Sequence, residues 1–160
     1  QLRLDRLRQL KDLAPAVANL YGPGRMVLIY VGASVSGFAL TSLAGAFLPP
    51  IPFIGGARIT VGASAALFGL LGALVYYGRR TGSQAIGSTG LQYALMLGIF
   101  GFIMPGIDNW AHGGGFAGGF LMAQLLDPLK PEKVDHLLAA LIAIVVSLLA
   151  VLYTFIRTLP

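Results

Sequence analysis

Uncharged, mostly apolar stretches make up most of the chain, and short charged segments separate them. The neutral runs are residues 26–57, 59–78, 81–107, 109–126 and 137–156. A helix that crosses the hydrocarbon layer needs about 20 residues, so each run can hold roughly one span. Prolines at positions 49, 50 and 52 end the first helix early and leave a loop over about 48–61. We predict an all-α, polytopic transmembrane bundle with helices near 26–47, 62–78, 88–107, 109–126 and 136–157.

Composition and charge support this assignment and indicate its orientation. Hydrophobic residues make up 56% of the chain and charged residues 11%, which excludes an ordinary water-soluble globule. The net charge of +5 would suggest a nucleic-acid partner, but nine of the 11 basic residues fall on alternate inter-helix segments. That distribution is a topology signal. It predicts that residues 1–25, 79–87 and 127–135 are cytoplasmic, and that the partner is the lipid bilayer rather than nucleic acid.

The first 25 residues differ from the rest of the chain. Leucines alternate with charged residues there, at positions 2, 4, 7, 10 and 13. This pattern indicates an amphipathic helix at the cytoplasmic interface, and a frayed extension is the alternative. We therefore divide the chain into an interfacial segment, 1–25, and a transmembrane bundle, 26–160, in a multi-pass protein of the cell (inner) membrane.

Two polar residues occur near the start of two predicted spans. Ser64 is the sixth residue of the run 59–78, and His112 is the fourth of 109–126. Both helices are predicted to run from the outside inwards, so a rise of 1.5 Å per residue places both side chains within about 10 Å of the outer surface. The sequence thus predicts similar depth, although it does not establish contact.

Each of the two residues has a structural alternative. An intramembrane serine usually donates to a backbone carbonyl, as we expect of Ser36 and Ser147. Small neighbours around Ser64, including Gly62 and Ala65, leave space for another backbone to approach. A histidine within a span is rare and functional by default. We therefore favour Ser64 and His112 as a nucleophile and its base over a purely structural pair.

Glycines supply the means for two helices to approach. Small residues four positions apart let helix backbones come into contact. The predicted helix 109–126, the histidine helix, has two such pairs. Its expected partner is the predicted helix 62–78, the serine helix. The residues concerned are Gly69 and Gly72 on the serine helix, and Gly114, Gly115, Gly118 and Gly119 on the histidine helix.

Other polar groups have simpler interpretations. His136 lies at the cytoplasmic start of the last span, and we interpret it as solvated. Asp108, one turn before His112, is a candidate to orient the imidazole, but helix capping by Asp108 or Asn109 is favoured. The chain has no cysteine and too few intramembrane ligands for a metal site, and its glycine-rich runs lie in apolar helices. Neither a metal nor a cofactor is predicted.

These residues resemble the rhomboid family of intramembrane serine proteases. Gly62-Ala63-Ser64 matches the family's GxS nucleophile motif, and Ala111-His112 followed by Gly115 and Gly119 matches its AHxxGxxxG motif. The resemblance covers about residues 10–126, and residues 136–157 look like the extra C-terminal helix of some members. It also includes the segment that enters the family's third helix, matched by Tyr21-Gly22, Arg25 and Tyr30.

The resemblance implies a serine endopeptidase that cleaves the transmembrane segments of membrane proteins with a Ser–His dyad. Ser64 would attack the scissile carbonyl, and its backbone N–H would be one oxyanion donor. His112 would transfer the proton. Phe68 would be the aromatic beside the histidine, and residues 101–108 would form part of the substrate gate.

Two departures from the family pattern bear on activity. Ala65 stands where the family usually has glycine after the serine, and the HxxxN motif that helps to form the oxyanion hole is missing. The chain is therefore expected to be the C-terminal part of a protease, and its activity alone stays open. One alternative is a catalytically inactive rhomboid-like protein that binds transmembrane helices. A transporter with His112 as a proton relay is less favoured, because we find neither further intramembrane charges nor an inverted repeat.

Overall fold

Six α-helices account for nearly all of the backbone that the structure describes. The computed structural model describes residues 13–49, 63–104 and 106–158, and within these ranges it contains no strand. The all-α class predicted from the sequence is confirmed. The helices are α1 (Leu13–Tyr21), α2 (Pro23–Phe47), α3 (Ser64–Thr81), α4 (Gln84–Ile103), α5 (Asn109–Leu125) and α6 (Val134–Thr158).

The helix ends differ from the sequence-based ones where local backbone chemistry intervenes. Helix α4 begins and ends four residues earlier than predicted, at Gln84 and Ile103. Gly82 ends α3 in the left-handed conformation, with φ of 73°, so the next helix starts almost at once. Met104 is extended, as expected of a residue that precedes a proline. The short helix α1 was not predicted, and the predicted amphipathic helix over residues 1–13 lies almost wholly outside the described residues.

Three of the described helices are long and apolar enough to cross a membrane: α2, α4 and α6. The two others that were predicted to span, α3 and α5, are shorter, at 18 and 17 residues. At 1.5 Å per residue, α5 is roughly 26 Å long. Both are rich in glycine and alanine, and both are largely enclosed by other helices.

Helix α5 is central to the packing. It lies against α3 and α2 along most of its length, while α4 packs mainly on α3 and α6 packs on α2. Only Ala140 is buried on α6, so nearly all of its apolar side chains face outwards. That exposure is suited to lipid. The buried core gathers around α3, and its members are Val17, Tyr21, Ile29, Phe68, Leu70, Leu71, Ala73, Leu74, Ala94 and Ala123.

Helix α1 is fixed to this core by a buried tyrosine. The hydroxyl of Tyr21 donates to the carbonyl of Ala73 at 2.8 Å. Burial raises the pKa of Tyr21 well above its ordinary value, and the neighbouring Tyr76 and Tyr77 add to the effect. The phenol therefore stays protonated and remains a donor at physiological pH.

A buried arginine joins α2 to the segment between α5 and α6. Arg25 is 2% exposed, and its guanidinium donates to the backbone carbonyls of Tyr21, Asp127, Lys130 and Pro131. Its backbone N–H donates to Glu132 Oε1 at 2.8 Å. Gly22 and Gly24 leave room for that carboxylate, since a Cβ at Gly22 would collide with it. Arg25, counted above as a topology signal, is therefore a structural residue.

The interpretation of His136 as solvated is wrong. Its Nδ1 accepts from Arg25 Nε at 3.1 Å and from the backbone N–H of Lys133 at 3.2 Å. An accepting Nδ1 carries no proton, so the proton of neutral His136 is on Nε2. No local sequence pattern indicated this contact, because Arg25 precedes His136 by 111 positions.

Replacement of Arg25 by lysine should destabilise the protein by about 2–4 kcal/mol, because one ammonium cannot satisfy the carbonyls that the guanidinium fork reaches. The measurement is the free energy of unfolding in mixed detergent micelles. Arg79→Lys is the matched control. Arg79 is exposed, and its guanidinium lies over the face of the Phe120 ring. A change in the free energy of unfolding within about 0.5 kcal/mol is therefore expected. Equal losses in both variants would contradict this account of Arg25.

Candidate active site

The end of the α3–α5 interface at which both helices begin carries the serine and the histidine. Ser64 is the first residue of α3 and is half-buried. His112 lies in the first turn of α5 and is 9% exposed. Because both helices begin at this end of the bundle, their opening turns lie side by side. Gly62, predicted to help shape the site, lies outside the described residues.

A glycine seam sets the relative depth of the two helices. A Cβ on Gly115 would overlap the backbone of Ala65, and a Cβ on Gly119 would overlap the backbone of Gly69. Gly72 lies in the same way against the backbone of Phe116. These contacts fix Ala65, the neighbour of Ser64, beside the turn that follows His112.

The second glycine pair of α5 faces a different helix from the one expected. A Cβ on Gly114 would come within 2.8 Å of the carbonyl oxygen of Ser36 on α2. One on Gly118 would overlap the Ser36 side chain. Ser36 itself donates to the carbonyl of Gly32, as predicted for a structural intramembrane serine. Helix α5 thus uses Gly115 and Gly119 towards α3, and Gly114 and Gly118 towards α2.

Phe68 connects the serine turn to the histidine. It lies one helical turn after Ser64 and stacks on the imidazole of His112, with ring centroids 4.2 Å apart and planes inclined by 16°. The stacked ring covers one face of His112 and limits its rotation. This is the neighbour that the family resemblance implied for the histidine.

Ser64 and His112 are not hydrogen-bonded in this conformation, within the ranges that the structure describes. The Nδ1 of His112 is also buried without a partner there. The arrangement therefore brings a hydroxyl and an imidazole to the same end of one interface and leaves both able to bond a reacting group. As the first residue of α3, Ser64 also has a backbone N–H without an acceptor inside its own helix.

The residues just before His112 hold the start of α5. The Asp108 carboxylate accepts from the backbone N–H of Ala111 at 3.0 Å, which confirms its role as the helix cap. The Asn109 side chain donates from Nδ2 to the carbonyl of Gly101 on α4 at 3.1 Å. The sequence suggested Asn109 only as an alternative cap and did not predict its bond to α4. Its position three residues before His112, on the same helical face, was the available signal.

The described residues contain no group of three or more histidine, cysteine, aspartate or glutamate side chains that could hold a metal ion. Of the predicted gate, residues 101–104 and 106–108 are described. They include the end of α4 and the turn at Gly106, whose φ is 86°. Gly101 is the last buried residue of α4.

A methyl group at Gly115 should disturb the seam and with it the position of Ser64. Gly115→Ala is expected to cost about 1–3 kcal/mol, because the group that its Cβ meets is the Ala65 backbone and cannot simply rotate away. The measurement is the thermal midpoint in detergent. Gly113→Ala on the same helix has nothing within 4 Å of its Cβ, so it should leave stability unchanged or raise it slightly. Indistinguishable midpoints would contradict the seam.

Comparison with known proteins identifies the family. The model of the Rhomboid domain matches residues 12–128. Rhomboid protease GluP of Bacillus subtilis (strain 168) is 32% identical over 147 residues, covering 90% of this chain and 27% of that protein. RHOMBOID-like proteins 4 and 7 of Arabidopsis thaliana are 36% and 38% identical over 114 and 111 residues, each match covering 66% of this chain.

The chain spans about a quarter to a third of the length of these relatives. No solved structure matches it significantly. The family match begins one residue before α1 and ends just beyond α5, and so includes both Ser64 and His112. The chain therefore belongs to the rhomboid family, a family of helical membrane proteins that includes serine proteases.

Proposed function

We propose that this chain carries the Ser–His dyad of an intramembrane serine endopeptidase, with Ser64 as nucleophile and His112 as general base. The observation that carries the proposal is the stack of Phe68 on His112 one turn below Ser64. Together with the contact of Ala65 and Gly115, it holds the serine and histidine turns at one depth. The similarity to a rhomboid protease over 90% of the chain supports the same assignment.

In the proposed reaction the Ser64 hydroxyl gives its proton to His112 Nε2 while Oγ attacks the carbonyl carbon of the scissile peptide bond. The resulting oxyanion accepts from the free backbone N–H of Ser64 at the start of α3. When the C–N bond breaks, His112 returns the proton to the leaving amine. A water molecule then gives a proton to His112 and attacks the acyl carbon. The ester bond to Ser64 breaks as His112 returns the proton to Oγ.

The substrates in this proposal are transmembrane segments of other membrane proteins. Two features favour a site within the bilayer rather than in a soluble domain. Helices α3 and α5 pack against α2 and α4, while α6 packs on α2. Helices α2, α4 and α6 are also long and apolar enough to span. Ala65 stands in contact with α5 and narrows the serine end of the site by one methyl relative to glycine.

The proposed orientation has residues 1–25, 79–87 and 127–135 in the cytoplasm of a cell whose inner membrane holds the bundle. It is supported by the way the basic segments meet at one end. Arg80 forms an ion pair with Asp127 at 3.3 Å, and Arg25 bonds the carbonyl of Lys130. Ser64 and His112 lie at the opposite end, which is then the outer one.

A catalytically inactive, helix-binding member of the family is the alternative function. It is favoured by one observation: Ser64 and His112 are not hydrogen-bonded to each other in the described part of the chain. Such a protein would keep the α3–α5 seam and would not need a nucleophile.

Labelling with a fluorophosphonate probe tests the dyad. The chain in detergent, and a longer form extended upstream, should be labelled at Ser64, because the probe reacts with an activated serine hydroxyl. Ser64→Ala should abolish labelling, and His112→Gln should slow it roughly 10²–10⁴-fold, the usual contribution of a general base.

Ser147→Ala is the control, since Ser147 lies on exposed α6 and donates to the carbonyl of Ala143. It should label like the unmodified chain. Labelling of the longer form alone would indicate that upstream residues complete the site. If neither form is labelled while both remain folded, the protease proposal is wrong and the helix-binding function takes its place.

A further inference from the structure

The proposed chemistry demands one particular tautomer of His112. To accept the Ser64 proton, Nε2 must be unprotonated, so the neutral ring must carry its hydrogen on Nδ1. A buried N–H without an acceptor disfavours the tautomer that carries it. In the structure Nδ1 of His112 is buried, and no described residue bonds it.

A second unpartnered atom lies one helical turn away on the same helix. Among the described residues only three buried side-chain polar atoms lack a partner: Thr41 Oγ1, Asn109 Oδ1 and His112 Nδ1. Residues three apart on a helix share a face, with Cβ atoms about 5–6 Å apart. Of these three atoms, the two on α5 are chemically complementary, because an amide oxygen only accepts and a protonated Nδ1 donates.

The contacts of Asn109 determine which of its two amide atoms is left over. A carbonyl such as that of Gly101 can only accept, so the atom bonded to it at 3.1 Å must be the NH₂ group. The oxygen is then the spare atom. Gly101 makes this arrangement possible, because a Cβ at that position would collide with Asn109 Oδ1.

We propose that Asn109 is a positioning residue whose side-chain oxygen accepts the Nδ1–H of His112, directly or through one water molecule, and thereby fixes the tautomer that the base requires. Its NH₂ group, anchored to Gly101 on α4, holds the amide in place. The role of this tautomer rests on the proposed function, but the tautomer itself can be measured without any activity.

Asp108 is the competing acceptor, and it is already engaged. Its carboxylate accepts a hydrogen bond from the backbone N–H of Ala111 at the start of α5. A serine at position 108 would preserve a helix cap while removing the carboxylate. Asp108→Ser is therefore the matched control for Asn109 variants.

The test is a two-bond ¹H–¹⁵N correlation spectrum of the ¹⁵N-histidine-labelled chain in micelles, near pH 8 where an ordinary histidine is neutral. The chain has two histidines, and His112→Gln assigns them. His136 is an internal reference for the other tautomer, because its Nδ1 accepts from Arg25 and its neutral ring is protonated on Nε2. We expect His112 to give the Nδ1–H pattern.

Variants at position 109 then test whether the tautomer of His112 depends on the side-chain amide of Asn109. Asn109→Leu, similar in size but without an acceptor, should convert His112 to a mixture dominated by Nε2–H. Asn109→Asp retains the acceptor and should keep the Nδ1–H form, as should Asp108→Ser. An Nε2–H pattern in the unmodified chain would overturn the proposal whatever the variants do. So would a shift caused by Asp108→Ser but not by Asn109→Leu, or an unchanged pattern in a folded Asn109→Leu chain.

Probe labelling separates this proposal from the protease assignment. Asn109→Leu should slow labelling at Ser64 about tenfold or more, as part of the 10²–10⁴-fold that a general base contributes, and Asn109→Asp should recover most of it. A chain with the expected tautomers but no labelling at all would keep Asn109 as the acceptor and reject the protease function alone.

Discussion

The close approach of α5 to two helices at once is the constraint on which the rest of the structure depends. Its Gly115 and Gly119 meet backbone atoms of α3, while Gly114 and Gly118 meet α2. Because lipid offers no hydrophobic driving force between helices, association in a membrane relies on such van der Waals contact. Both α3 and α2 are thereby fixed in depth relative to one helix. Ser64 and His112 lie at a similar height along the bundle because of this packing, and not because of a bond between the two side chains.

The polar network at the other end of the bundle complements the seam. The guanidinium of Arg25 donates to backbone carbonyls of the segment between α5 and α6, and Glu132 accepts from the backbone N–H of Arg25. These bonds close the end at which the basic residues gather. Towards the end that carries Ser64 and His112, α4 buries little beyond Gly101, where Asn109 bonds it. The bundle is thus held firmly at the charged end and more loosely on the α4 side of the site.

The sequence predicted the five longer helices and the class of fold, because these depend on local patterns. Neutral runs mark helices, and glycines four apart mark a close contact. It did not predict the partner of each face: Gly114 and Gly118 face α2, although α3 was expected. The buried state of Arg25 and its bond to His136 were also missed. Each depends on residues that are far apart in the chain, and no local pattern encodes such a pairing.

The composition of α3 and α5 is a consequence of their enclosed position. Helices that face lipid must be apolar on their outer side, as α2, α4 and α6 are. A helix surrounded by other helices is released from that requirement, because neighbouring side chains and backbone can satisfy its polar groups. Glycine, serine, asparagine and histidine can then be kept at membrane depth. The features that make α3 and α5 weaker candidates for crossing a membrane are therefore those that allow them to keep polar side chains such as Ser64 and His112 among the other helices.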